Sequence, residues 1–179
     1  MATIKTSIKR LYRYFLDSAL HEGREYSVIN DQEDVADNAY TKLFLNSHDT
    51  DLSIIVSEIR YQAEGRAKIE VYKNVSVDTQ GTEAQPVAKK SGQVVQPAFD
   101  FYKGGDYSNL TDEKRVGLRR IQRSDQSADA RAGSQDENVV TVGEEGDNIL
   151  IRMQNTDGGE VDYQTITARI RQTRNNIFQ

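Results

Sequence analysis

Apolar and polar residues alternate in short runs between residues 25 and 171, and this period of two is typical of strands. Clusters of Gly, Asn and Asp separate the runs, and no apolar pattern of helical period covers 12 or more residues after residue 20. Half-buried antiparallel strands have this alternation, with one face in a core and the other in water. We therefore predict an all-β fold, an antiparallel β-sandwich that is jelly-roll-like.

The inward positions follow from the same pattern. Ile55 and Ile59 fall on the opposite phase to Ile54 and Val56 within one run. The alternating apolar positions are Tyr26, Val28, Leu43, Leu45, Ile54, Val56, Ile69, Val71, Phe99, Phe101, Ile149, Ile151, Met153, Ile166, Ala168 and Ile170.

The C-terminal region predicts one tight hairpin. Residues 148–154 and 160–171 both alternate, and Asn155-Thr156-Asp157-Gly158-Gly159 between them supplies residues that accept positive φ. We expect one face of the second strand to lie in water or against a polar partner. That face carries Thr165, Thr167, Arg169 and Arg171.

Residues 1–20 form a basic amphipathic arm, ahead of a sandwich domain that we assign to residues 21–179. The cations of the arm all precede its first acid, Asp17. Its apolar residues fit a short helix from Ile4 to Ala19, but Leu11 to Phe15 also alternate as in a strand, so both remain open. The arm either packs on the core or docks on a neighbouring subunit or acidic partner, with a contact to nucleic acid as a third alternative. For docking, the predicted partner-binding residues are Ile4, Ile8, Lys9, Arg10, Leu11, Tyr12, Arg13 and Phe15.

Residues 111–146 are poor in bulky apolar side chains and predict a long polar insertion in the sandwich domain. Loops of this length are uncommon in compact domains unless they are functional or disordered. Arg119, Arg120 and Arg123 form a basic cluster here, which is either solvated or ion-paired between subunits.

The composition excludes several chemistries. There is no Cys, so disulfides, thiol nucleophiles and thiolate metal sites are absent, and His21 and His48 are too few for a three-His site. The formal net charge of −5 disfavours a strongly basic nucleic-acid binder. No run of about 18 apolar residues predicts a membrane span, and the N-terminus predicts no secretory signal.

The remaining candidates for chemistry have ordinary structural explanations. His48, Asp49 and Asp51 suit a turn, with a weak metal site as the alternative. Glu144, Glu145 and Asp147 could pair for acid–base catalysis, but no neighbouring residues mark an environment that would raise one pKa.

The glycine pairs at 104–105 and 158–159 predict turns, because neither precedes a helix with Lys-Ser/Thr. No serine has the Gly-x-Ser-x-Gly context of a nucleophile. We predict no catalytic residue, no metal and no cofactor, and therefore no enzyme.

Three short segments have a distinctive order and spacing. The first segment, residues 19–28, contains a His-x-Gly step near its start. The second is the predicted strand Ile69-Glu70-Val71-Tyr72-Lys73-Asn74 in the middle of the chain. The third lies near the C-terminal end and reads Asn148-Ile149-Leu150-Ile151-Arg152-Met153-Gln154-Asn155. Together they resemble a group of small virion structural proteins of tailed bacterial and archaeal viruses, of the capsid-decoration or turret type. The resemblance implies a β-sandwich that coats or projects from a particle as a symmetric oligomer, without catalytic residues.

We therefore expect a virion protein that acts as a decoration, turret or minor capsid subunit. Its expected partners are copies of itself, as a trimer or pentamer, and the major capsid protein or other virion subunits; nucleic acid is not an expected partner. A tail, baseplate or adsorption component is the first alternative, and a carbohydrate-binding β-domain is the second.

Overall fold

The computed structural model describes residues 24–48, 52–89, 97–121, 140–142 and 147–174. The regular secondary structure in these ranges is β-strand, which confirms the predicted all-β class. The strands are β1 (Glu25–Val35), β2 (Tyr40–Ser47), β3 (Leu52–Ala63), β4 (Ala67–Lys73), β5 (Ser76–Thr79), β6 (Thr82–Glu83), β7 (Val87–Ala88), β8 (Phe99–Lys103), β9 (Asp106–Ser108), β10 (Arg115–Ile121), β11 (Val140–Val142), β12 (Asn148–Asn155) and β13 (Val161–Arg174).

Eleven of the thirteen strands form two antiparallel sheets that pack as a sandwich, and β5 and β9 pair as a separate two-stranded sheet. Sheet A has the order β11-β3-β13-β1-β7, and sheet B has the order β10-β4-β12-β2-β8-β6. Without the strands of the insertion between β4 and β10, the orders become β1-β13-β3-β11 and β2-β12-β4-β10. This is the eight-stranded jelly-roll arrangement, in which the chain repeatedly crosses between the two sheets.

One apolar core lies between the sheets and takes alternate residues from both. Every alternating apolar position predicted from the sequence is buried. Tyr26, Phe99 and Phe101 make edge-to-face ring contacts in this core, with centroids 5.4 and 5.2 Å apart. The period of two therefore identified the inward face correctly for the seven strands that contain these residues.

A bulge in β3 explains the change of phase in that strand. Val56 pairs with Ile170 and Glu58 pairs with Arg169, so Ser57 is an extra residue without a partner in the ladder. The Ser57 hydroxyl donates to Arg169 O at 3.3 Å. After this residue the alternation is inverted, and Ile59 enters the core.

The predicted C-terminal hairpin is wrong, because β12 and β13 belong to different sheets. β12 pairs with β2 and β4, whereas β13 pairs with β1 and β3. The turn between them carries the chain across the sandwich: Asn38 N donates to Asn155 O at 3.1 Å, and Thr156 N donates to Arg66 O at 2.9 Å. The Gly-rich turn has the predicted positive φ at Gly158, but such a turn does not decide whether the next strand joins the same sheet.

The segment predicted as one long polar insertion contributes two strands. β10 and β11 are edge strands in sheets B and A, and residues 122–139 and 143–146 lie outside the described residues. An edge strand needs few bulky residues, since its core face can be filled from the neighbouring strand. Gly117 illustrates this, because a Cβ built there would meet Val71 at 3.4 Å.

The chain between β4 and β10 forms an insertion that covers the outer face of sheet B. Phe44 of β2 stacks on Tyr107 of the insertion with ring centroids 4.8 Å apart. Tyr72, Val75 and Leu150 are buried in the same small cluster. The insertion contributes only β7 to sheet A, at its edge, so among the described residues the outer face of sheet A is less covered than that of sheet B.

Candidate interaction surfaces

The predicted partner-binding residues of the arm lie outside the described residues, so their role stays a prediction. These residues are Ile4, Ile8, Lys9, Arg10, Leu11, Tyr12, Arg13 and Phe15. The described part of the chain offers two polar surfaces instead, one on the outer face of each sheet.

The outer face of sheet A carries a network of charged side chains at the end where β1 begins. Buried Glu25 accepts from Arg169 Nε at 2.8 Å and from Arg171 Nε at 3.0 Å. Glu58 bridges Arg60 Nε at 2.7 Å and Arg169 Nη1 at 3.5 Å. Arg169 therefore links two carboxylates from strands on either side of β13, and the polar face predicted for this strand is present.

An open cavity with a volume of about 120 Å³ lies in this network. Since a water occupies about 30 Å³, the cavity has room for a few waters or for one small anionic group. Three cations and one carboxylate give its lining a positive balance. The lining residues are Ser27, Glu58, Arg60, Lys89, Thr167 and Arg169.

The opposite end of the same face is acidic. Asp31 and Glu33 of β1 are exposed there, and Asp31 Oδ1 accepts from Thr165 Oγ1 at 2.6 Å. Glu33 lies opposite Tyr163 in the register, and Glu64 N donates to Tyr163 O at 3.3 Å. The face is therefore basic at one end and acidic at the other.

The outer face of sheet B has one buried carboxylate among three cations. Glu70, at 1% exposure, contacts Arg152 Nη2 at 2.6 Å, Lys68 Nζ at 2.8 Å and Arg115 Nη1 at 3.5 Å. Burial alone raises the pKa of Glu70, but hydrogen bonds and charges from Lys68 and Arg152 outweigh it, so this pKa lies below its ordinary value. Glu70 is ionised at neutral pH and is a structural anion, not a general acid.

Aromatic rings hold Arg152 in position over Glu70. The guanidinium carbon lies 4.8 Å from the Tyr40 ring centroid and 5.1 Å from that of Tyr72. Such cation–π contacts and charged hydrogen bonds order a side chain that would otherwise be mobile. This cluster stabilises sheet B.

Tyr107 is a residue of the insertion, and its buried hydroxyl has no hydrogen-bond partner among the described residues. Burial, with the nearby charge of Asp106, raises the pKa of Tyr107 to about 12. The phenol is therefore neutral at physiological pH and does not act as a base.

The other sequence candidates lie apart from one another or outside the described residues. His48 Nε2 is 3.7 Å from Asp100 Oδ1 and both side chains are exposed, whereas Asp49 and Asp51 are not described. Within the described ranges, no three His, Asp or Glu side chains are grouped so that they could hold a metal ion. Gly104 and Gly105 have positive φ in the turn between β8 and β9, as predicted for turn glycines.

The remaining candidates are placed only in part. Glu144 and Glu145 are not described, and Asp147 O accepts from Ser47 N at 2.9 Å at the start of β12. Of the arginine cluster, exposed Arg120 lies on edge strand β10 and Arg123 is not described.

Sequence reasoning missed the two buried carboxylates, Glu25 and Glu70. Glu70 occupies a polar position of the alternation between Ile69 and Val71, and such a position normally faces water. The sequence contained one signal for the partner of Glu70. Arg152 lies between Ile151 and Met153 in β12, so it occupies the same kind of polar position as Glu70 does in β4. Only the pairing of Arg152 with Glu70 in the register brings the two charges together.

No protein-family model matches this chain, and a comparison with curated proteins gives no match. In the described part of the chain, no helix has the length and apolar character needed to span a membrane.

Proposed function

We propose that this protein is a non-enzymatic virion structural protein of a tailed virus, which decorates or projects from the capsid as a decoration, turret or minor capsid subunit. The observation that carries the proposal is the strand order β1-β13-β3-β11 over β2-β12-β4-β10. Viral capsid domains use this double-sheet jelly roll, as do lectins and cupins. Because one fold hosts several functions, the surfaces must discriminate between them.

The buried core of the described residues suits a structural role. Side chains from both sheets pack there in one apolar cluster, which gives a stable unit for repeated assembly. The aromatic contacts of the described residues lie in the core or beneath the insertion. Carbohydrate platforms need clustered aromatic faces in solvent, and Tyr163 is the one exposed aromatic side chain among the described residues, so the carbohydrate-binding alternative has less support.

Assembly on a particle also suits the polar outer face of sheet A and the basic arm. A symmetric particle repeats each contact many times, and weak contacts then add up to firm attachment. Cations on the arm would steer it towards acidic neighbours. The expected partners are further copies of the chain and the major capsid protein, and the expected location is the virion.

Deletion of residues 1–16 tests this proposal. We expect the truncated chain to keep its β-sheet circular dichroism and its cooperative melting, but to be missing from purified particles. A matched variant with Lys9, Arg10 and Arg13 changed to Ala keeps the apolar residues of the arm and separates steering from apolar docking. Incorporation of the truncated chain at the level of the full chain would contradict the arm's role.

Copy number separates the capsid proposal from the tail alternative. Quantitative mass spectrometry of particles is expected to find copies on the order of hundreds, as a capsid lattice requires, whereas a tail or baseplate needs only a handful. A glycan array on the full chain tests the carbohydrate alternative. We expect no specific binding there.

A further inference from the structure

The outer face of sheet A is self-complementary in charge. Among the described residues, its basic half contains Lys89, Arg169 and Arg171 with Glu25 and Glu58 as counter-charges, and its acidic half presents Asp31, Glu33 and Glu64. Arg60 lies at the midpoint, opposite Thr167, and pairs with Glu58 at 2.7 Å. The backbone of Lys89 is held at the basic end, because its backbone N–H donates to Glu25 O at 2.8 Å. The whole chain has a net charge of −5, so this basic half is a local feature.

Three of the six exposed large apolar side chains among the described residues lie on the same face. Ile29 is 51% exposed, Val87 is 68% exposed and Tyr163 is 41% exposed. Ile29 lies midway along the face, opposite Thr167, whereas Val87 lies at the basic end and Tyr163 at the acidic end. A charged face with an exposed aliphatic centre fits an interface with a polar rim.

We infer that this face binds the same face of a second copy of the chain through a two-fold contact. The two-fold axis lies in the plane between the two faces, perpendicular to the strands and level with Ile29. Rotation about this axis places the second copy face to face with the first, with its strands running in the opposite direction. The basic half of each copy then covers the acidic half of the other, and both Ile29 side chains meet near the axis. Self-complementarity of this kind is what an isologous contact requires.

The cavity at the basic end supplies the specific contact. Its Arg60, Lys89 and Arg169 side chains surround a space that suits one carboxylate, and the second copy presents Asp31 and Glu33 to it. Neither Lys89 nor Glu33 makes an ion pair or side-chain hydrogen bond with another described residue, so both are available. The outer face of sheet B has no equivalent role, because the insertion already covers part of it.

The area of the face indicates a weak contact for two isolated copies. Three strands about 4.8 Å apart and nine residues long, at about 3.4 Å per residue, give about 440 Å² per copy. The total of about 900 Å² lies below the usual range for stable interfaces, so we expect dissociation constants in the micromolar range or above, with weakening by salt. Repetition in a lattice would strengthen such a contact.

Charge reversal at the two ends provides the test, with sedimentation equilibrium of the full chain at low salt as the readout. Lys89→Glu and Glu33→Lys, each alone, place like charges at both ends of the homodimer, and we expect each to raise the dissociation constant by about tenfold or more. An equimolar mixture of the two variants places opposite charges at both ends, and we expect it to dimerise like the unmodified chain. Failure of the mixture to recover would overturn the inference, as would a monomeric unmodified chain.

The apolar centre is tested separately. Ile29→Glu introduces two facing carboxylates near the axis and is expected to abolish the dimer, whereas Val116→Glu changes a similarly exposed aliphatic residue at the edge of sheet B and is expected to leave it intact. Because both positions are exposed, neither change removes core packing, and melting temperatures verify this. An Ile29→Glu chain that still dimerises, or equal effects of the two variants, would refute the two-fold contact.

This inference deepens the oligomer part of the proposed function but does not depend on a viral role. The two-fold contact would be additional to any trimeric or pentameric ring. Self-association in solution and incorporation into particles are separate measurements, so either can fail without the other.

Discussion

At the scale of single residues, Glu70 shows how a buried charge becomes part of the structure. Its carboxylate is 1% exposed but has Arg152, Lys68 and Arg115 around it. A buried charge is costly unless paired, and removal of one partner leaves the others uncompensated. The cluster therefore ties β4 to β12 and β10 through one anion.

Glu70→Gln is expected to lower the free energy of unfolding at pH 7 by about 2–4 kcal/mol, because the three cations lose their counter-ion. Urea denaturation measures this. Lys42→Met is the comparison, since it removes a pair with the exposed carboxylate of Asp106 at 3.2 Å and a hydrogen bond from Lys42 Nζ to Gly105 O at 2.7 Å, and it is expected to cost about 1 kcal/mol. Equal costs would show that burial of Glu70 is not decisive.

The lowered pKa of Glu70 also sets the sign of a pH dependence. Since the folded-state pKa lies below the ordinary value of 4.5, the contribution of this carboxylate is present above that value. It is lost as the pH falls through the folded-state pKa. Glu70→Gln should remove this acid-limb component, so the stability difference between variant and unmodified chain should shrink below pH 4.5. A difference that stays constant down to acid unfolding would contradict the ion-pair explanation.

At the scale of elements, the turn from β12 to β13 shows what glycine contributes here. Gly158 has φ +89°, and a Cβ at either Gly158 or Gly159 would meet no atom within 4 Å. Space is therefore equal at the two positions, and only the backbone conformation differs. L-residues other than Gly are strained at such a φ.

Gly158→Ala is expected to destabilise the fold by about 1–2 kcal/mol through backbone strain. Gly159→Ala is the matched control and should be neutral, or slightly stabilising through lower entropy of the unfolded chain. Thermal and urea unfolding of both variants measure the difference. Equal effects would mean that the positive φ at Gly158 does not limit the turn.

At the scale of the whole molecule, two buried carboxamides of β13 connect parts of the sandwich. The Gln164 carboxamide contacts Thr41 Oγ1 of sheet B at 3.0 Å and, with its nitrogen as donor, Met153 O at 3.2 Å. Near the other end of β13, Gln172 Nε2 donates to Tyr26 Oη at 3.1 Å and its oxygen accepts from Ala98 N at 2.9 Å. Buried polar groups satisfied in this way fix the register of one sheet against the other.

Gln164→Ala is expected to reduce the free energy of unfolding by about 2–4 kcal/mol, because it removes hydrogen bonds in the core and leaves a small cavity. Gln32→Ala is the control, since Gln32 pairs with Gln164 in the register but is exposed. Its expected effect is within about 0.5 kcal/mol. A Gln164→Ala chain as stable as the control would show that this connection is not needed.

The strand content, the inward residues and the turn glycines could all be read from the sequence of this protein. These are local properties: a strand has a period of two whatever its neighbours are, and Gly158 suits a positive φ wherever the chain goes next. Even the bulge at Ser57 left a local trace, as the inverted phase of Ile59.

Tertiary structure alone decided which strands pair and which polar residues are buried. β12 and β13 have the pattern of a hairpin, but each buries its apolar face by joining a different sheet across one core. Glu25 and Glu70 occupy ordinary polar positions, and they are buried because cations from distant segments meet them there. Pairing and burial depend on contacts between residues far apart in the chain, and a local pattern is the same whichever distant partner is present.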